Sequence, residues 1–196
     1  MIDAVRIVNA HWQMKTMHRI NILELFQILK LYSDDNRLAH SSVKHYSGRP
    51  NMTRWKMNGV TILFFTGGAI QVIGKEATLS LALKIRQIIK WIFKTKMKIA
   101  VAVNISQPVL QNMVVTCKYL KPFYLTGRSS SSLYFYETEL FPAALIRYWA
   151  PAHVALFPSG SLVCTGIKTW RSFYSIIRSL SHYLDGRDDG DSVVES

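Results

Sequence analysis

The chain has 196 residues, of which 49% are apolar and 18% are charged, and this composition excludes an intrinsically disordered protein. Its 24 lysines and arginines against 12 acidic residues give a net charge of +12, which favours nucleic acid or an anionic surface as partner over a charge that merely keeps the protein soluble. Apolar runs such as "VTILFF" are too short to cross a bilayer, so we expect no membrane contact, and we expect no signal peptide.

The first half of the chain alternates strand and helix patterns. An alternating strand at "AVRIVNAHW" is followed by a short helix at about 21–31 and a polar loop insertion at about 32–50. A hairpin with a tight glycine turn follows at "FFTGGAIQVIG", residues 64–74. The pattern then predicts an amphipathic helix over 79–94, with an apolar stripe of Leu81, Ile85, Ile88 and Ile92.

The second half repeats this order. A strand at "VLQNMVVTC" precedes the Gly- and Ser-rich text "LTGRSSSS", which predicts a flexible loop. A second hairpin, "LFPSGSLVCTG", spans residues 156–166. The helix predicted over 169–184 carries a larger apolar stripe: Trp170, Phe173, Tyr174, Ile177, Leu180 and Leu184.

The two hairpins indicate an internal repeat. Gly68 and Gly160 have the same separation as Gly74 and Gly166. We therefore predict an α+β fold of two pseudo-symmetric repeats, with helices on one face of an antiparallel sheet and the other face free. The expected boundaries are 1–98 for the first repeat, 99–185 for the second, and 186–196 for an acidic, disordered tail.

Alternation places several side chains of the second half on the free face of the sheet. Asn112 shares a face with Val114, and Val163 shares one with Thr165, beside Phe157. Such a face is largely apolar with a few short polar groups, which fits the floor of an A·T-rich minor groove. Packing against a second layer explains the same pattern, and periodicity does not decide between the two.

No motif indicates catalysis, a metal site or a cofactor. Cys117 and Cys164 lie in apolar strands without a CxxC spacing, so we predict reduced thiols in the core of an intracellular protein. The glycine turns lack the Lys and Ser/Thr of a phosphate loop. The six histidines show no metal-ligand spacing: His11, His18, His40, His45, His153 and His182. The chain is not expected to be an enzyme.

Three segments of the second half carry a family resemblance. "LQNMVVTC", "YETELFPAALIRY" and "HVALFPSGSLVCTGIK" resemble the second repeat of the TATA-binding protein family over about residues 109–184. The first half is less similar, although "TILFFTGGAIQVIGK" still resembles the family's first-repeat hairpin. The resemblance implies a saddle, that is, a curved antiparallel sheet with helices on its convex face, which binds and bends DNA in the minor groove.

The resemblance also implies roles for residues of the second half. Asn112 and Thr165 match positions that contact central base edges, and Val114 and Val163 match positions on the groove floor. Phe141 and Phe157 match an aromatic pair that, in the family, inserts between base steps. Arg147 and Lys168 match two cations that hold phosphates.

A partner contact is implied by the segment that the family uses to bind transcription factor B. Glu137, Glu139 and Leu140 match that segment. Two retained acids on so basic a chain favour a contact with a partner.

The first half departs from the family on the same face. Arg6 stands where the family has its first-repeat Asn, followed by a matching Val8, and Gln71 and Ile73 replace a Val and a Thr of the hairpin. The base contacts at this end are therefore expected to differ.

The wedge of the first half is also altered. Leu63 and Phe65 are retained, but "GRPNMTRW" has no phenylalanine where the other wedge residue is expected, and Trp55 is a loose candidate to replace it. The resemblance therefore does not extend to a symmetric kink at both ends.

The resemblance implies a transcription initiation factor that binds A·T-rich promoter DNA and recruits a factor-B-like protein and RNA polymerase. It would act in the nucleus, or at the site of viral transcription if the divergence reflects a viral source. The alternatives are an adaptor of the same fold that works through protein contacts, and a helix-grip-like domain attached to nucleic-acid processing; the "ELFP" and "QNMV" motifs argue against the latter.

Overall fold

A computed structural model of the chain describes residues 2–34, 41–45, 48, 51–57, 59–98, 104–120, 134–136, 139, 141–147 and 151–185. Within these ranges it has three helices, α1 (Ile22–Asp34), α2 (Leu79–Thr95) and α3 (Trp170–Asp185). The strands in the same ranges are β1 (Ile2–Lys15), β2 (Ser42–His45), β3 (Met52–Met57), β4 (Val60–Phe65), β5 (Ala69–Gly74), β6 (Val109–Tyr119), β7 (Tyr134–Phe135), β8 (Ala144–Ile146), β9 (His153–Leu156) and β10 (Ser161–Ile167). None of the three helices has the length and apolar character of a membrane span.

The chain divides into two compact units, Asn9–Gln111 and Met1–Val8 with Asn112–Ser196. The unit Asn9–Gln111, the first unit below, contains an antiparallel sheet in the order β2-β3-β4-β5-β1. Alternate residues such as Ile62, Phe64 and Val72 are fully buried. They form the core together with the buried stripes of α1 and α2.

The second unit repeats this architecture in the order β6-β10-β9-β8-β7. Met113, Val115 and Cys117 of β6 point into its core, where Phe173 and Leu180 of α3 are fully buried. The α+β class, with antiparallel sheets and helices packed on one face, is confirmed. The predicted loop "LTGRSSSS" and the acidic tail 186–196 lie outside the described residues.

The hairpin glycines adopt the conformation that the sequence predicts. Gly68 and Gly160 have φ of 86° and 82°, in the left-handed region that glycine adopts without a Cβ penalty. A Cβ on Gly68 would lie 2.6 Å from the carbonyl oxygen of Thr16, and one on Gly160 would lie 2.7 Å from that of Tyr119. Each turn is thus packed directly against the neighbouring strand.

The buried face of α2 differs from the predicted stripe. Ile85 and Ile92 are buried as predicted, but Ile88 is exposed and Ile89 is buried in its place. Isoleucines occur at both 88 and 89, so the sequence permits two stripes rotated by one residue. The small side chain of Ala82, which is fully buried, belongs to the stripe that is used.

Two aromatic residues of α3 are not in the core either. Trp170 is 43% exposed and Tyr174 is 53% exposed, whereas Ile176 is buried. The two rings contact each other and Phe173, with centroid separations of 6.0, 5.7 and 5.2 Å. They cover the outer side of Phe173 and do not fill the interior.

The insertion predicted as a loop at 32–50 contains regular structure. Helix α1 continues to Asp34, and β2 pairs with β3 so that Val43 lies opposite Trp55. Trp55 itself is only 1% exposed, so it is a core residue and cannot replace a wedge on the open face. The polar composition of this stretch did not indicate β2, a short edge strand that packs on α1.

Both cysteines are free thiols in the core, as predicted. Burial raises the pKa of Cys117 to about 11, and burial followed by the nearby Cys117 raises that of Cys164 to about 12. At pH 8 we expect iodoacetamide to label native protein at least ~100-fold more slowly than urea-unfolded protein, because only the thiolate reacts. Mass spectrometry would measure this, and rapid labelling of the native chain would contradict the buried assignment.

Candidate nucleic-acid interface

The open face of the second unit carries the predicted base-contacting residues. Asn112 and Val114 of β6, and Val163 and Thr165 of β10, are half-buried on the side of the sheet opposite the core. The Oδ1 atom of Asn112 accepts a hydrogen bond of 2.8 Å from the backbone N–H of Gly166. This contact turns the Nδ2 donors of Asn112 away from Gly166, so the side chain is held in one orientation.

The predicted aromatic pair is assembled at the end of this face. The rings of Phe141 and Phe157 have centroids 6.2 Å apart at an angle of 56°. Phe141 is 40% exposed, and Phe157 is half-buried. The turn at Gly160 holds Phe157 through backbone bonds of 2.9 Å to Ser161 and Gly160, so this ring has a fixed base.

The predicted charged residues of the second unit lie on its surface. Arg147 and Lys168 are exposed, as a phosphate contact requires. Glu139 is exposed, while Glu137 and Leu140 lie outside the described residues.

The open face of the first unit is built in regular rows across its strands. Gln71 pairs with Leu63 on one side and with Gln13 on the other. In the next row Ile73 pairs with His11. Leu63, Phe65, Gln71 and Ile73 are all half-buried, as are the side chains of Gln13 and His11.

The strand register corrects the prediction for Arg6 and Val8. The N–H of Thr16 donates 2.9 Å to the carbonyl of Gly68, and the N–H of Tyr119 donates 2.8 Å to that of Gly160, so Thr16 and Tyr119 are equivalent. Counting back along β1 and β6 from these two residues brings Asn9 to the position of Asn112.

Two further equivalences follow from the same register. His11 occupies the position of Val114, and Gln13 opposite Gln71 matches Thr116 opposite Val163. Arg6 and Val8 are exposed and lie three residues earlier in the chain. Sequence reasoning therefore did not place Asn9, His11 and Gln13 at these positions of the open face, although the shared residue type of Asn9 and Asn112 was a signal for the register.

Comparison with known proteins also connects this chain with the TATA-binding proteins. Residues 107–185 match the family model described as "Transcription factor TFIID (or TATA-binding protein, TBP)". The TATA-box-binding protein of Thermococcus celer is 27% identical over 167 residues, which cover 82% of this chain and 87% of that protein. That of Caenorhabditis elegans is 33% identical over 132 residues, which cover 64% of this chain and 37% of that protein.

The solved structure of Methanococcus jannaschii TBP superimposes with a TM-score of 0.65 at 21% identity, over 93% of this chain and 98% of that one. The chain is a divergent TBP-like protein. The TBP-like fold and family are non-enzymatic, which confirms the expectation that the chain is not an enzyme. The family model covers the second repeat, so the divergence of the TBP-like chain lies mainly in its first unit.

His11 is the most unusual side chain on the open face of the first unit. Its Nε2 atom is buried and has no hydrogen-bond partner among the described residues. Burial lowers the pKa of the imidazole, so the neutral form is favoured at pH 7. A neutral imidazole has one donor and one acceptor, whereas the equivalent Val114 has neither.

Proposed function

We propose that this TBP-like protein is a transcription initiation factor that binds A·T-rich promoter DNA in the minor groove and bends it. The observation that carries the proposal is the open face of the second unit, where Val114 and Val163 lie beside an oriented Asn112. The floor of an A·T minor groove offers acceptors and no exocyclic amino group, so amide donors and apolar surface both fit it. The net charge of +12 favours the approach of a polyanion.

Contact with the phosphates and the base steps completes the proposed interface. Arg147 and Lys168 would neutralise phosphates, which makes affinity fall as salt rises. Phe141 and Phe157 would insert between base steps at the end contacted by the second unit. In the first unit, Leu63 and Phe65 would contribute apolar contact, while Asn9 takes the place proposed from sequence for Arg6.

The test is binding of the purified protein to A·T-rich and G·C-rich duplexes at several salt concentrations, with end-labelled DNA to report bending. We expect tighter binding to the A·T-rich duplex, a linear decrease of log K with log salt, and a measurable bend. Equal affinity for both duplexes without a bend would overturn the proposal and favour an adaptor that acts through protein contacts.

We propose further that the protein recruits a factor-B-like protein and RNA polymerase. It would act where the genome is transcribed, which in a nucleated cell is the nucleus. Exposed Glu139 is the described residue of the proposed partner segment. Glu139→Arg is expected to leave DNA affinity unchanged and to abolish the ternary complex with purified transcription factor B, measured by gel mobility shift. Glu76→Arg, the same change at an exposed residue of the first unit, is the control. An intact ternary complex with Glu139→Arg would show that the partner assignment is wrong.

A further inference from the structure

Two glutamines face each other on the open face of the first unit. Gln13 of β1 and Gln71 of β5 are direct cross-strand partners, and both are half-buried. Side chains in such pairs have Cβ atoms about 4.5–5.5 Å apart, so both carboxamides reach the same spot above the sheet. Neither carboxamide makes a hydrogen bond to another described residue, which leaves their donors and acceptors available to a ligand.

The equivalent pair of the second unit has a different chemistry. Thr116 lies opposite Val163 there, so one short hydroxyl and one apolar side chain replace two carboxamides. In the adjacent row the first unit has His11 opposite Ile73, where the buried Nε2 atom lacks a partner in the described part of the chain. That buried atom is not exposed at the surface. The two carboxamides are therefore the acceptors that the first unit adds to this face, where the second unit has the hydroxyl of Thr116 and the apolar Val163.

Acceptors on this face matter because of the functional groups in the minor groove. A·T and T·A pairs present only acceptors, the adenine N3 and the thymine O2, whereas G·C pairs add the N2 amino donor of guanine. A valine cannot accept a hydrogen bond from that amino group and leaves it desolvated without a partner, which is costly. A carboxamide oxygen can accept it.

We propose that Gln13 and Gln71 form a minor-groove subsite for the exocyclic amino group of guanine. This inference rests on the proposed function, and it assigns the first unit to a half-site that includes a G·C pair. The second unit, with Val114 and Val163, keeps the preference for A·T pairs. The DNA site is accordingly asymmetric in base composition, which would also fix the direction in which the protein binds.

Inosine separates the amino group from every other feature of the base pair. An I·C pair lacks only the N2 amino group and presents the same minor-groove acceptors as A·T. Three duplexes are compared: one with A·T pairs in both halves, one with a single G·C pair in one half, and one with I·C at the same position. Affinities are measured by fluorescence anisotropy at one fixed salt concentration, because salt alone changes K.

We expect the wild-type protein to bind the G·C duplex at least as tightly as the I·C duplex. The variant Q13T/Q71V installs the residues of the second unit and is expected to bind the G·C duplex about 10-fold more weakly than the I·C duplex, as the loss of the acceptor for one desolvated donor predicts. Its affinity for the A·T duplex should not change. The single variant Gln71→Val, with an intermediate loss, keeps the test valid if the double variant does not fold.

The outcomes separate the inference from the proposed function. If the wild type binds none of the duplexes specifically, the proposed function fails. If it binds A·T and I·C duplexes but disfavours G·C as strongly as Q13T/Q71V does, the subsite is wrong while minor-groove binding stands. If His11→Val alone removes the tolerance of G·C, the imidazole and not the carboxamide pair accepts the amino group, and the roles given to Gln13 and Gln71 are overturned.

Discussion

Phe157→Ala is expected to remove most of the DNA bend and to weaken binding to A·T-rich DNA by about 10- to 100-fold. Inserting an aromatic ring between base steps buries its exposed surface, and full burial of a Phe side chain contributes about 1.5–3 kcal/mol. Phe157 is anchored by the turn at Gly160, and its ring lies 6.2 Å from that of Phe141. The loss of one ring leaves Phe141 without the partner that holds it in place.

The measurement is energy transfer between labelled duplex ends, with affinity determined in the same titration. Tyr174→Ala is the matched control, since Tyr174 is a more exposed aromatic residue on α3, away from the open face of the sheet. We expect that variant to bend DNA like the wild type. An unchanged bend with Phe157→Ala would mean that the pair Phe141 and Phe157 does not insert.

Gly68→Ala is expected to lower the free energy of unfolding by about 3 kcal/mol, a large part of the ~5–15 kcal/mol typical of a folded protein. Gly68 has a φ of 86°, and an added Cβ would lie 2.6 Å from the carbonyl oxygen of Thr16 and 2.9 Å from that of His18. Both atoms belong to the backbone, so the strand itself would have to move. The displaced segment includes the bond from Thr16 to Gly68 that fixes the register of β1.

The neighbouring residue provides the control for this prediction. Gly67 belongs to the same turn, yet a Cβ there would meet nothing within 4 Å, and its φ is not positive. Urea unfolding should therefore show Gly67→Ala within about 0.5 kcal/mol of the wild type. Equal stability of the two variants would contradict the packing of the turn against β1.

Much of the fold could be predicted because local patterns were strong. The two glycine turns determined the hairpins, and helices α2 and α3 were located to within about one residue of their observed ends. The candidate site of the second unit also followed from sequence, since the motifs around Asn112 and Phe157 are well matched. Their placement on one open face agrees with the alternation of β6 and β10.

The register of β1 was less predictable, because this strand has apolar residues on both faces. Val5 and Ile7 lie at odd-numbered positions on one face of the strand, and Val8 and Ala10 lie at even-numbered positions on the other. Alternation therefore did not decide which face was buried. A shift of three residues reverses the faces, and for this reason Arg6 and Val8 were matched in place of Asn9 and His11. The rotation of α2 between Ile88 and Ile89 is a similar ambiguity on a helix.

The sequence by itself determined the α+β class, the repeat, the hairpin turns and the largely apolar character of the open face in the second half. Only the tertiary structure decided the register of β1, because that register depends on hydrogen bonds to β5, and sequence spacing does not show which residues pair. Those bonds place Gln13 opposite Gln71 and His11 opposite Ile73. The chemistry of the first unit's open face is therefore a property of strand pairing that the residues alone did not reveal.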